Sequence, residues 1–223
     1  MEPVDVAANL ARVRARIAAA AQRAGRDARR VTLIAVAKTK PAAMIDAAIA
    51  AGATCIGENY VQEARAVKPL VAGRAAWHLI GHLQRNKARL ALTLFDVIQT
   101  LDSTALASAL DRLGAERGAP VPALVEVNLG GEASKRGVAP EKLAGFVEEL
   151  AALAHVRVEG LMAIPPPAGD ESEARAHFRR LRQLRDQLGL RELSMGMTDD
   201  FEIAVEEGAT IVRVGRAIFG ART

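Results

Sequence analysis

The residue best placed for chemistry is Lys38, which closes the apolar run Val31-Thr32-Leu33-Ile34-Ala35-Val36-Ala37. An amine at the end of such a run enters a largely apolar setting, and desolvation disfavours its charged form. Lys40, two residues on, is a nearby cation that acts in the same direction. A lysine treated in this way is a nucleophile toward an aldehyde. The plainer reading, a surface lysine at a strand end, fits its position equally well. Two later segments have anion-binding character. In Leu193-Ser194-Met195-Gly196-Met197-Thr198 a hydroxyl can donate from Ser194 and Gly196 permits close backbone approach. Val214-Gly215-Arg216-Ala217 offers backbone N–H groups of the kind that cradle an anion at a helix start.

Short β-branched or apolar runs alternate with helical patterns along the whole chain, and each run ends in Gly, Pro, Asn, Asp or Ser. Strands are expected at 31–37, 53–57, 77–81, 96–100, 122–128, 157–163, 192–196 and 210–214, the number that closes a parallel barrel. An open doubly wound sheet is the alternative. Helices are expected at 41–50, 59–71, 85–93, 103–117, 140–153, 173–188 and 198–207, with Ser103 and Thr198 as N-caps. A further helix near 5–24 carries the stripe Val6, Leu10, Val13 and Ile17, suited to covering the bottom of a barrel or its flank. The expected fold is an α/β, single (β/α)8 TIM-type barrel with an additional N-terminal helix, one domain over residues 1–223. Pro165-Pro166-Pro167 reads as a stiff loop inside it and not as a boundary.

In a parallel barrel the residues just past the strand ends build the active face. Reading those ends gives Lys38, Glu58-Asn59, His82, Asp102, Asn128, Met162, Ser194 to Thr198 and Arg213 to Arg216. Barrel phosphate sites are typically made by the loops after strands seven and eight. A lysine on strand one opposite such a cradle suits a phosphorylated aldehyde, and the combination favours pyridoxal 5'-phosphate (PLP).

Composition narrows the rest. The 223 residues carry a formal charge of +4 but only 3% aromatics, with bases and acids mixed, so a nucleic-acid surface is not expected. The densest basic stretch, Arg175 to Arg185, is the polar face of a helix whose apolar stripe is Phe178, Leu181, Leu184 and Leu188. No apolar run approaches the roughly 20 residues that span a bilayer, and no secretory signal pattern opens the chain. A cytoplasmic protein is expected. Cys55 is the sole cysteine, so an internal disulfide and a cysteine-based metal cluster are excluded. His78 and His82 lack a third ligand at suitable spacing, and no metal is expected.

The chain resembles the pyridoxal phosphate homeostasis protein family, relatives of the barrel domain of alanine racemase (PLP fold type III). The resemblance spans nearly the whole chain. It rests on Ala37-Lys38-Thr39-Lys40-Pro41, Gly57 to Glu63, Trp77 to Lys87, Val127-Asn128-Leu129, Gly160 to Pro165, Leu193 to Met197, Val212 to Gly215 and Ile218-Phe219-Gly220. It implies that Lys38 forms the aldimine, that Arg213 faces the pyridine nitrogen, and that Ser194, Gly215 and Arg216 hold the phosphate, the last two through backbone. Asn59, His82 and Met162 would also line the cofactor site. Many relatives have Ser or Thr where this chain has Arg216, which removes a hydroxyl; Thr198 in place of the commoner Ser keeps one. The loop Gly130 to Gly137 would lie over the barrel mouth as a recurrent feature.

An arginine cannot accept the proton of the pyridine nitrogen, so it disfavours the pyridinium form that makes the ring a strong electron sink. Racemases on this barrel place a second base, a tyrosine from an additional β domain, opposite the lysine. This chain has no room for that domain, and its one tyrosine, Tyr60, reads as structural. The expected function is therefore a noncatalytic PLP carrier or buffer in vitamin B6 homeostasis, with no catalytic residue assigned and with PLP-dependent apo-enzymes as candidate recipients. A small PLP-dependent racemase or decarboxylase using Tyr60 or His82 is one alternative, and a cofactor-free class I aldolase is another. A monomer is expected, because the racemase-type dimer interface goes with the missing domain.

Overall fold

The structure, a computed structural model, describes residues 4–131, 136–166 and 168–220. Its strands are β1 (Thr32–Val36), β2 (Cys55–Glu58), β3 (Ala76–Leu79), β4 (Val97–Leu101), β5 (Val121–Glu126), β6 (Val156–Met162), β7 (Glu192–Ser194) and β8 (Ile211–Val214). They form one closed barrel in sequence order, every pair parallel. Closure is made where Ile34 of β1 stands beside Arg213 of β8, so the strand leading to Lys38 runs next to the strand carrying that arginine. The open doubly wound alternative is thereby excluded.

Alternation along the strands divides the apolar residues between two places. Ile34, Ile80, Leu124, Met162 and Ile211 point inward and form a small cluster that fills the barrel interior. Their neighbours Leu33, Ala35, Leu79, Leu161, Leu193 and Val212 point outward into the larger shell packed under the helices. Each fully buried Leu or Ile contributes about 1.5–3 kcal/mol by leaving water. The filled interior makes the barrel a floor, not a pore, and leaves its mouth as the place for ligands.

The helices are α1 (Val6–Arg23), α2 (Ala42–Ala50), α3 (Val61–Val67), α4 (Ala88–Leu94), α5 (Thr104–Arg117), α6 (Leu143–Ala151), α7 (Glu171–Gln187), α8 (Phe201–Glu206) and α9 (Arg216–Phe219). The stripe Val6, Leu10, Val13 and Ile17 is buried as expected. It packs on α8, α9 and α2, so α1 covers the flank where the barrel closes and not its bottom. Asn9 Nδ2 donates to the Ile218 carbonyl at 2.9 Å and ties α1 to the last turn of the chain. On α7 the apolar stripe Phe178, Leu181 and Leu184 is buried, while Arg175, Arg179 and Arg182 use donors on α8 and the residue after it. Arg179 Nε reaches Glu207 Oε2 at 3.0 Å and Arg182 donates to the Glu207 carbonyl. Much of the basic run is thus engaged within the molecule.

Two helix starts differ in detail from the sequence reading. Ser103 occupies the N-cap of α5 with extended backbone but makes no side-chain capping bond. Thr198 caps nothing: α8 begins later, after Asp200, whose carboxylate accepts from the Met197 N–H at 2.6 Å. The loop after β7 is folded back by that bond, and Thr198 is released toward the barrel mouth.

Candidate functional site

Lys38 leaves β1 at a tight turn. Thr39 takes φ +62°, a left-handed conformation uncommon outside glycine, and the Lys40 N–H closes the turn on the Ala37 carbonyl at 2.8 Å. Strain held this way by surrounding structure is typical of sites that must present one side chain. Pro41 then starts α2 with fixed φ. The Lys38 ammonium lies 5.1 Å from the centroid of the Tyr60 ring. Around it is a cavity of about 550 Å³ whose walls include Val36, Lys38, Lys40, Asn59, Ile80, Ile164, Met197, Thr198, Arg213, Gly215 and Arg216. This is within the size range of small-molecule sites.

The floor of the cavity is Arg213, which is almost fully buried. Burial lowers its pKa to about 10 against the opposing pull of Asp200 and Glu126, so it remains a cation at neutral pH. Its Nη1 donates to Ser194 Oγ at 2.7 Å and its Nη2 to the Ala163 carbonyl at 2.9 Å. Ser194 in turn donates to Gln99 Oε1 at 2.7 Å, and Gln99 Nε2 lies 2.9 Å from His78 Nδ1. A charge at this depth is sustained only when its donors are satisfied.

The far wall is the start of α9. The Ile218 and Phe219 N–H groups bond back to the Gly215 carbonyl at 2.9 Å, whereas the first N–H groups of a helix have no acceptor within it. A Cβ at Gly215 would stand 3.1 Å from the Val36 carbonyl, so glycine suits the close approach of β8 to β1 here. The Arg216 side chain turns to Asp199, with Nη2 at 2.5 and 2.6 Å from its two carboxylate oxygens. The backbone at Asn59 passes close to Gly81: a Cβ there would come within 2.2 Å of the Asn59 carbonyl, so only glycine permits the approach.

The structure therefore brings together Lys38, Asn59, Arg213, Gly215 and Arg216 on one cavity wall. It places three other expected residues elsewhere. Ser194 is wholly buried, its hydroxyl committed to Arg213 and Gln99; Thr198 presents its residue to the cavity instead. Met162 lies in the interior cluster beneath the mouth. His82 lines a neighbouring cavity with Tyr60, Gln62 and Lys87. Its Nδ1 is 3.4 Å from Asp102 Oδ2 without a hydrogen bond, and burial together with Arg136 pushes its pKa down. Of the loop at 130–137, residues 132–135 lie outside the described residues.

Two residues at or near the mouth, Gln99 and Glu126, were not singled out from sequence, and Glu58 was marked only as a strand end. Gln99 shows one signal of the interior kind, a polar residue that follows the apolar pair Val97-Ile98 within a strand. Glu126, likewise set in Leu124-Val125-Glu126-Val127, has an Oε2 without a hydrogen-bond partner; burial and the nearby Asp102 raise its pKa to about 7 against Arg213 and Arg136. It opens on a wider cavity that shares Ile164, Met197 and Asp199 with the first. Glu58 is 1% exposed, and burial with Glu63 beside it raises its pKa to about 8.

Comparison with known proteins is consistent across sequence and structure. Residues 8–223 match the family model described as alanine racemase, N-terminal domain. The pyridoxal phosphate homeostasis protein of Pseudomonas aeruginosa is 47% identical over 223 residues, covering 97% of this chain and 96% of that protein. Its Escherichia coli K12 counterpart is 43% identical over 98% of this chain and 97% of its own length. Among solved structures, PipY of Synechococcus elongatus PCC7942 with PLP bound superposes with a TM-score of 0.86 at 39% identity, covering 96% of this chain and 100% of that one.

Proposed function

The chain belongs to the pyridoxal phosphate homeostasis protein family, within the alanine racemase N-terminal domain family, and we propose that it binds PLP as a Schiff base on Lys38. The observation that carries this reading is the convergence of Lys38, Arg213, Thr198 and the start of α9 on one cavity. The donor set fits the cofactor: an amine for the aldehyde, a buried guanidinium for the ring, and a hydroxyl with the backbone N–H groups at the start of α9 for the phosphate. When bound, PLP supplies an electrophilic aldehyde and a ring able to accept electrons.

Each residue then has a physical role. Lys38 is the nucleophile, presented by the Thr39 turn. Arg213 stays protonated and can only donate, so it keeps the ring nitrogen unprotonated. Gly215 and Arg216 hold the phosphate through backbone N–H groups, with Thr198 adding a hydroxyl, and Ser194 serves by holding Arg213. Ile164 and Met197, both half exposed, give the cavity an apolar rim. We assign the chain, as one barrel domain over residues 1–223, to cytoplasmic PLP homeostasis: a monomeric carrier or buffer that delivers the cofactor to apo-enzymes without turnover. No helix of the described residues is long and apolar enough to cross a membrane.

Borohydride reduction of PLP-loaded protein followed by peptide mass spectrometry tests the site. A pyridoxyl-phosphate mark on Lys38, lost in Lys38→Ala, is the expected result; a mark confined to other lysines refutes the assignment. Delivery requires that transfer to an apo-enzyme outpace release into buffer. The racemase or decarboxylase reading keeps one supporting observation, the carboxyl of Glu126 titrating near neutrality in the mouth. Solvent deuterium appearing at an amino acid's Cα, dependent on Lys38, would decide for it.

A further inference from the structure

The barrel interior carries a line of polar side chains amid its apolar filling: His78, Gln99, Ser194 and Arg213, exposed by 7%, 0%, 0% and 3%. Its direction follows from donor and acceptor capacity together with the Gln99 amide, which stands with Oε1 toward Ser194. Arg213 can only donate, so at 2.7 Å Ser194 Oγ must be the acceptor. The Ser194 proton is then free for Gln99 Oε1, also at 2.7 Å. With its oxygen so used, Gln99 has only its NH2 to offer His78 Nδ1 at 2.9 Å. His78 must therefore carry a bare Nδ1 and its proton on Nε2. Burial holds the His78 pKa down to about 4, so the neutral ring this requires is the form present near neutral pH.

We infer that Gln99 and His78 are positioning residues: through Ser194 they fix the Arg213 guanidinium at the floor of the Lys38 cavity. The chain crosses the barrel from β3 through β4 and β7 to β8, so four strands register one side chain. Turning the Gln99 amide would set its oxygen against the bare Nδ1 of His78, two acceptors face to face among buried side chains, unless His78 moved its proton from Nε2 to Nδ1. The Ala163 carbonyl takes a further Arg213 donor at 2.9 Å, and the guanidinium is held at both Nη atoms. A merely space-filling role would need no polarity at Gln99, where an apolar side chain would serve. The consequence for ligand binding rests on the reading above that Arg213 faces the cofactor ring.

The first test uses wild-type, cofactor-free protein. Nitrogen-15 NMR of the His78 ring should show Nε2 protonated and Nδ1 bare; a proton on Nδ1 overturns the inference and needs no variant. The second follows the Arg213 guanidinium, assigned by its loss in Arg213→Lys. Its protons should be protected from solvent exchange, and Gln99→Leu should reduce that protection about tenfold, the effect of one lost buried hydrogen bond. Protection unchanged in folded Q99L overturns the positioning role. The third is PLP titration, in which Q99L should raise Kd about tenfold. Gln99→Glu at pH 6, where a buried acid keeps its proton and offers the same acceptor and donor, should restore Kd to within about threefold of wild type. Equal Kd for wild type and Q99L severs the chain from the cofactor site. If wild-type protein binds no PLP, the functional reading fails, while both NMR measurements still decide whether Gln99 and His78 hold Arg213.

Discussion

The Lys38 ammonium stands 5.1 Å from the centroid of the Tyr60 ring, although Tyr60 is half exposed at the rim. Tyr60 is the N-cap residue of α3 and makes no side-chain capping bond, so its ring is free to serve the lysine instead of the helix. The attraction of a cation to a ring face needs the ring and not the hydroxyl.

Tyr60→Phe should accordingly leave PLP affinity within about twofold of wild type, whereas Tyr60→Ala, which removes a contact that the free ammonium makes and Schiff-base formation gives up, should tighten it by up to about threefold, the worth of an exposed cation–π contact. Absorbance titrations of the two variants separate these outcomes. Equal and substantial changes in Y60F and Y60A would show that the hydroxyl, and not the ring, is what matters.

Glu58 gives the fold a pH dependence of definite sign. Its pKa is about 8 in the folded chain against an ordinary 4.5, so between these values the folded state binds the extra proton. Stability contributed by this group is greatest below pH 4.5 and declines as pH rises toward 8. Glu58→Gln, which imitates the protonated carboxyl, should be more stable than wild type at pH 7 by on the order of 2–3 kcal/mol, with little difference at pH 4.5. Urea unfolding at the two pH values measures it. Equal stabilities at pH 7 would mean that the buried carboxylate finds a partner on ionising.

Met162 separates support from contact. It is wholly buried in the interior cluster with Ile34, Ile80, Leu124 and Ile211. Met162→Ala should cost about 2–5 kcal/mol through the cavity it leaves, while Met162→Leu should cost less than about 1.5. PLP affinity in M162L should be that of wild type. A selective loss of affinity in a stable M162L protein would return Met162 to the ligand's surface.

The architecture was legible because barrel strands announce themselves twice, by apolar runs and by the turn residues that end them, and the ends of those runs locate the mouth. Lys38, Asn59, Arg213 and Gly215, which the structure brings to one cavity, were marked that way. Ser194 and Thr198 show where this reading stops. Both carry hydroxyls in the same loop, and choosing between them depends on strand parity and on the Asp200 bond that turns the loop back after Met197. Gln99 was hidden for a related reason: its partners His78 and Ser194 lie on strands distant in sequence, and a polar residue in an apolar run shows its purpose only when they meet. The flank position of α1 likewise depends on the surfaces of α8 and α9, which its own stripe does not specify.

Glu126 supplies the last prediction. Its pKa of about 7 means that the carboxyl passes from neutral to charged across the physiological range, in a mouth that also holds Arg213 and Arg136. Above pH 7 the ionised form competes for the positive field that would attract the phosphate of PLP, and below it that field is unopposed. Wild-type affinity for PLP should thus fall more steeply between pH 6 and 8 than that of Glu126→Gln, whose neutral amide cannot titrate. The comparison between the two proteins matters because other groups, the cofactor's own included, titrate in both and cancel. The expected gap is small at pH 6 and grows to about threefold to tenfold at pH 8, the worth of one partly screened charge. Parallel pH profiles would mean that Glu126 keeps one protonation state throughout, and would remove the main support for any acid–base role at the mouth.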